Sequence, residues 1–159
     1  MSQRLRLALL GLWLGAMAFF TTAVAQAAFA VLPTRRMAGD LVAPVLANLE
    51  YTGLVMSVAL LLLLLLAREV RRKVWFVELG IYLATLLTTF IARFIVAAKI
   101  HDIRAQFGDQ LDTLAATDPA KILFGQLHGI SIGLTGLDMI LVLVVIVILI
   151  LQGRNTTRL

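Results

Sequence analysis

Four apolar runs constrain this chain more than any other feature. They cover about residues 5–32, 41–67, 74–98 and 122–151. A bilayer core of about 30 Å is crossed by roughly 20 apolar residues in a helix, so each run is long enough to span. Lipid offers no partner to an open backbone N–H or C=O, so each run is expected to be a helix. The expected fold is all-α: a polytopic membrane protein, a four-transmembrane-helix bundle forming one domain over residues 1–159. A 27-residue helix is about 40 Å long, so some spans must tilt or protrude.

Composition agrees. The chain is 61% apolar, more than a soluble domain of 159 residues can hide. Its net charge of +5 would suggest nucleic acid in a soluble protein. Here the basic residues flank the apolar runs, as in AREVRRK at 67–73. That is the juxtamembrane pattern, so the expected partner is the lipid bilayer and not nucleic acid. Eight basic residues (Arg4, Arg6, Arg68, Arg71, Arg72, Lys73, Arg154, Arg158) fall on one side, against five (Arg35, Arg36, Lys99, Arg104, Lys121) on the other. The positive-inside rule therefore puts both termini in the cytoplasm, and the expected location is the bacterial inner (cytoplasmic) membrane. There is no cysteine, which removes disulfides, thiol nucleophiles and thiolate metal ligands.

The first run resembles a secretory signal, with a basic start and Ala25-Gln26-Ala27 as a cleavage triplet. Its apolar region is longer than a signal core, so it reads as a retained first helix. After Pro33 a short linker, TRRMAGD, leads to the second run, with Pro44 near its start, where a missing N–H is tolerated. Ile100, Ile103, Phe107, Leu111 and Leu114 recur at helical spacing beyond the third run. Either the third helix extends out of the bilayer or a short amphipathic segment lies on the surface. Asp118-Pro119 resembles a helix start.

Polar residues recur at helical spacing inside the runs. His128, Ser131, Thr135 and Asp138 fall within an arc of about 80° on the last helix. Gly125, Gly129, Gly133 and Gly136 form a separate small-residue seam where another helix backbone can approach. The third helix aligns Glu78, Tyr82, Thr85, Thr89 and Arg93. The first aligns Gly11, Gly15, Phe19, Thr22 and Gln26, and the second places Glu50, Gly53 and Ser57 on one side with Asn48 and Thr52 on another. Charge facing hydrocarbon is costly, so these stripes are expected to face the bundle interior. Depth counted from the ends of the runs gives an outer cluster of Gln26, Asn48, Glu50, Arg93, His128 and Ser131, and an inner pair of acids, Glu78 and Asp138.

Such a cluster can be a binding site or pathway, because histidine and dehydrated carboxylates change charge readily. The plainer alternative is that these groups only hold helices together, that Arg93 neutralises an acid, and that the threonines bond their own preceding turn. A metal site would use His128 with His101, helped by Glu50; haem b held by two histidines and copper are the groups to consider, though no HxxxH or HExxH motif is present. No cofactor is otherwise implied. No nucleophile elbow, phosphate loop or dinucleotide fingerprint occurs, so the chain is not expected to be an enzyme.

At residues 12–40 and 118–131 the chain resembles the transmembrane protein 205-like family, a four-helix membrane domain of unknown function. The residues that carry the resemblance are Gly15, Phe29, Leu32-Pro33, Ala38-Gly39, then Phe124, Leu127-His128 and Ser131; Thr135 stands where the family's asparagine is expected. The resemblance implies a four-helix integral membrane protein, distantly similar to copper-resistance D-type membrane proteins. Three functions follow as expectations. The first is binding or conducting a small solute or cation through the polar cluster. The second is a non-catalytic accessory subunit or assembly factor of a larger membrane complex, or a homodimer. The third is the handling of haem b or copper.

Overall fold

The computed structural model describes residues 2–66, 72–108 and 110–156. Ala67, Arg68, Arg71 and Arg158, which entered the reading of the second span and of the charge balance, lie outside the described residues. Every element among the described residues is a helix. Four are long and apolar enough to cross a membrane: α1 (Gln3–Val31), α2 (Arg35–Leu66), α3 (Arg72–Phe107) and the last, which begins at Pro119. The chain is thus a multi-pass membrane protein. A single-turn helix, α4 (Gln110–Thr113), precedes the last span, α5 (Pro119–Thr156).

The ends of these helices follow from local chemistry. Leu32 is extended, Pro33 cannot continue α1, and Thr34 caps α2, its hydroxyl accepting from the Met37 N–H at 3.2 Å. The segment expected as a linker is therefore helical from Arg35. Pro44 consequently lies inside α2 and not in its first turn, and the Asp40 carbonyl loses its N–H donor there. Gly108 closes α3 with φ +51°, a conformation open to glycine, and its N–H reaches the Arg104 carbonyl at 2.9 Å. Asp118 caps α5, accepting from the Ala120 N–H at 2.8 Å, with Pro119 as the first helical residue.

The four spans form a ring in which each packs on the two beside it: α1 on α2 and α5, and α3 on α2 and α5. The interior of one half is largely apolar, built from Leu10, Trp13, Met17, Leu60, Leu64, Val142, Val145 and Leu149 around Tyr82. At the opposite end α3 runs beyond its apolar run, and Ile103 and Leu111 pack with Val96 and Leu127 as a cap. Of the two expectations for this region, the extended third helix is the one observed. Large side chains such as Leu12, Leu66 and Ile132 point outward, as lipid contact requires.

Two π-helical turns interrupt the α-helical ladder, Phe20–Val24 in α1 and Ala92–Val96 in α3. Hydrophobic periodicity alone carried no sign of them. The second holds Arg93.

Candidate intramembrane cavity

Glu50 sits on the inner face of α2, in line with Gly53, Ser57, Leu60 and Leu64. Only 7% of it is exposed. Arg93 approaches from the π turn of α3, with Nη1 3.6 Å from Glu50 Oε2. That is beyond ordinary hydrogen-bond length, and among the described residues neither Glu50 oxygen nor Arg93 Nε has a hydrogen-bond partner. The Arg93 guanidinium also lies 4.9 Å from the centroid of the Tyr51 ring, at the outer surface of the bundle. It stands between a buried anion and an exposed aromatic face.

Asp138, 6% exposed, projects from α5 toward α3. Thr89 donates to its Oδ2 at 3.0 Å, and Thr88 contacts its Oδ1. No basic side chain among the described residues forms an ion pair with it. Glu50 and Asp138 both line one small cavity, with Trp13, Met17, Leu46, Leu49, Thr89, Ala92 and Thr135 as the rest of the wall. The cavity offers about 20 Å³, room for one water or a bare ion. Trp13 forms part of the wall because α2 carries Gly53 there: a Cβ would stand 2.7 Å from Trp13 Cζ2.

A second polar cluster lies toward the other end. Arg6 of α1 forms a salt bridge with Glu78 of α3, both fully buried. Gln152 donates to Glu78 Oε1 at 3.3 Å. Among the described residues the Tyr82 hydroxyl, beside them, and Arg6 Nε have no hydrogen-bond partner at ordinary length. Gln3 donates to the Leu149 carbonyl at 2.6 Å and Trp75 to the Leu64 carbonyl at 3.4 Å, which ties all four spans together at this end.

The expected cluster is therefore redrawn. Glu50, Thr135 and Asp138 line the cavity, Arg93 pairs with Glu50 outside its wall, and Ser131 is buried one turn from Thr135. Glu78 and Asp138 are not a pair: Glu78 belongs to Arg6, and Asp138 to the cavity. Gln26, Asn48 and His128 are exposed and lie outside the cluster. On α5 the inward position is taken by Leu127, and one residue on, about 100° round, His128 stacks on Phe124 with rings nearly parallel. The whole expected stripe of α1 faces outward: Gly11, Gly15, Phe19, Thr22 and Gln26 are all exposed, and the opposite face, Arg6, Leu10, Trp13 and Met17, is buried. The glycine seam of α5 meets no other span either: among the described residues, no atom beyond the local backbone of α5 lies within 4 Å of a Cβ built at Gly125, Gly129, Gly133 or Gly136. His101 is exposed too, and among the described residues no group of three His, Cys, Asp or Glu side chains is placed to hold a metal ion. Arg6 and Thr88 are the residues that sequence reasoning missed. The spacing of Arg6 with Leu10, Trp13 and Met17 is the signal that would have found Arg6.

A family described as a domain of unknown function (DUF4149) matches residues 8–108. The matched segment runs from α1 through the end of α3. It includes Glu50, Glu78, Thr88, Thr89 and Arg93, and stops before Asp138. The match carries neither the transmembrane protein 205-like nor the copper-resistance D-type relationship that the motifs suggest. No curated protein and no solved structure matches the chain. With more than half of its length matched, the chain belongs to the DUF4149 family of domains of unknown function.

Proposed function

We propose that this membrane protein binds a small cation in the cavity between Glu50 and Asp138. The observation that carries this reading is the Glu50 carboxylate: buried, lining a cavity, with both oxygens lacking a hydrogen-bond donor among the described residues. A buried polar atom left so is costly unless something else completes its shell. The charge balance points the same way. Glu50 has Arg93 as counterion, whereas Asp138 has only hydroxyl donors, so the site as a whole is short of one positive charge. The wall supplies carboxylate and hydroxyl oxygens, ligands that suit a hard cation better than copper. Binding is favoured over steady conduction, because the apolar core and the Arg6–Glu78 pair fill the bundle beyond the cavity. The charge balance of the flanks supports a bacterial inner membrane with both termini in the cytoplasm.

The two tryptophans provide the test. With Trp75→Phe in place, Trp13 in the cavity wall is the sole indole. Titrating the protein in nanodiscs with Na⁺, K⁺, Li⁺ and acid should give a saturable change in Trp13 emission for at least one cation. The change should vanish in Glu50→Gln combined with Asp138→Asn. A flat response to every cation removes the reading.

One observation favours a second role, as an accessory subunit of a larger membrane complex or as a homodimer. The outward glycine face of α5 leaves its backbone open to close approach by another helix. Native electrophoresis from a mild detergent tests it: a band of the isolated monomer alone counts against both forms.

A further inference from the structure

The hydrogen atoms around Asp138 can be counted. The Thr88 hydroxyl has one hydrogen and three acceptors in reach: the Ala84 carbonyl at 2.9 Å, the Thr85 carbonyl at 3.0 Å, and Asp138 Oδ1. Thr89 donates its hydrogen to Asp138 Oδ2 at 3.0 Å. If Asp138 is ionised, the Thr88 hydrogen turns to Oδ1, its bond to the preceding turn is given up, and a full negative charge remains in a mostly apolar wall. If Asp138 carries a proton on Oδ1, the arrangement closes. The carboxyl donates to Thr88 Oγ, Thr88 donates back to the Ala84 or Thr85 carbonyl, and Thr89 donates to Oδ2. Every hydrogen then has an acceptor and no net charge is left on the side chain.

The charged surroundings complete the argument. From α2 the facing titratable group is Glu50, and from α3 it is Arg93, which stands at Glu50 and forms no ion pair with Asp138. α1 contributes Trp13 and Met17 to the wall, neither of which carries charge. On α5 itself the cavity neighbour is Thr135, whose hydroxyl donates to the Ser131 carbonyl at 3.0 Å. A proton is thus the smallest cation that supplies the missing charge and the missing hydrogen together.

We infer that the cation taken up is a proton, carried on Asp138 Oδ1 with Thr88 as its acceptor. This rests on the cation-binding reading above. Thr88 is a positioning residue here, since it aims the acid hydrogen and holds no charge itself.

Infrared spectroscopy of the protein in lipid nanodiscs tests the inference. A carbonyl stretch of a protonated carboxyl is expected near neutral pH. It should shift with ¹³C-aspartate labelling, a measurement that needs no variant, and should disappear in Asp138→Asn. Thr88→Val should move the band to higher frequency, as loss of the acceptor requires, and Thr88→Ser should restore it. A spectrum without such a band overturns the inference, as does a band that ignores the aspartate label. Suppression of the band by Na⁺ at fixed pH also overturns it and assigns the site to sodium. If the band is absent while Trp13 still responds to a metal cation, cation binding survives and the proton is wrong. If both signals are absent, both fall.

Discussion

Glu78→Gln tests the energetics of the bundle most directly. Glutamine keeps the size of the side chain and can still accept from Gln152, but it leaves the Arg6 guanidinium without its anion at 1% exposure. Two unit charges about 4 Å apart attract by about 4 kcal/mol at the effective dielectric suited to protein sites. Removing one partner of a buried pair costs ~3–5 kcal/mol, because the other charge stays desolvated. The Arg6 Nε already lacks a partner, so the guanidinium has little to fall back on. Replacing both residues by apolar ones, Arg6→Met with Glu78→Leu, removes both desolvation costs. The double variant should match the original protein to within about 1 kcal/mol or exceed it. Reversible unfolding of purified protein in sodium dodecyl sulfate, followed by tryptophan fluorescence, gives the free energies. A Glu78→Gln cost below about 1 kcal/mol would mean that Arg6 escapes to the interface along its flexible stem. A double variant as unstable as the sum of the singles would mean that the pair contributes specific stability beyond charge cancellation. Either result refutes the reasoning.

Three further outcomes are expected. Gly53→Ala places a methyl 2.7 Å from the rigid indole of Trp13 and 3.3 Å from Thr89 Cγ2, so it should cost ~1–3 kcal/mol and shift Trp13 emission; an unchanged spectrum and stability would show that the contact is loose. Gly39→Ala also collides, but with the mobile end of Arg104, so it should cost under ~1 kcal/mol as the partly exposed contact to Asp40 at 3.7 Å is lost; a cost above ~2 kcal/mol in the same unfolding assay contradicts this. Gln26→Ala, Asn48→Ala and His128→Ala should each lie within ~0.5 kcal/mol of the parent and leave the Trp13 titration unmoved; a tenfold weaker cation response in His128→Ala would return the histidine to the site.

The four spans were legible because each apolar run exceeds the bilayer thickness, a signal that survives any detail of packing. The inward stripe of α3 was legible too, since Glu78 has no cheap outward alternative and Tyr82, Thr85 and Thr89 lie in line with it. The face of α1 was not, and the reason lies in hydroxyl chemistry. Thr22 donates to the Ala18 carbonyl at 2.7 Å and Thr52 to the Asn48 carbonyl at 2.8 Å, so both are content facing lipid. Small polar residues therefore do not mark the interior by themselves; on α1 the face that turns inward is the one carrying Arg6. Arg6 was hidden by its place near the start of the chain, where a basic residue reads as a topology signal. The level of Asp138 was misjudged because depth was counted from the ends of the apolar runs, whereas α2 begins at Arg35 and α3 continues to Phe107. His128 and Leu127 differ by a single step on the wheel, and only packing decides which of them turns inward.

The salt bridge from Arg6 to Glu78 crosses the ring, joining the two helices α1 and α3 that do not pack as neighbours. It acts as a diagonal brace: neither α1 nor α3 can swing outward at that end without stretching it. Around the cavity the links run between adjacent spans, Arg93 to Glu50 and Thr89 to Asp138, and leave the diagonals untied. The base end is therefore held across its diagonal, whereas around the cavity each polar link reaches only to the next span.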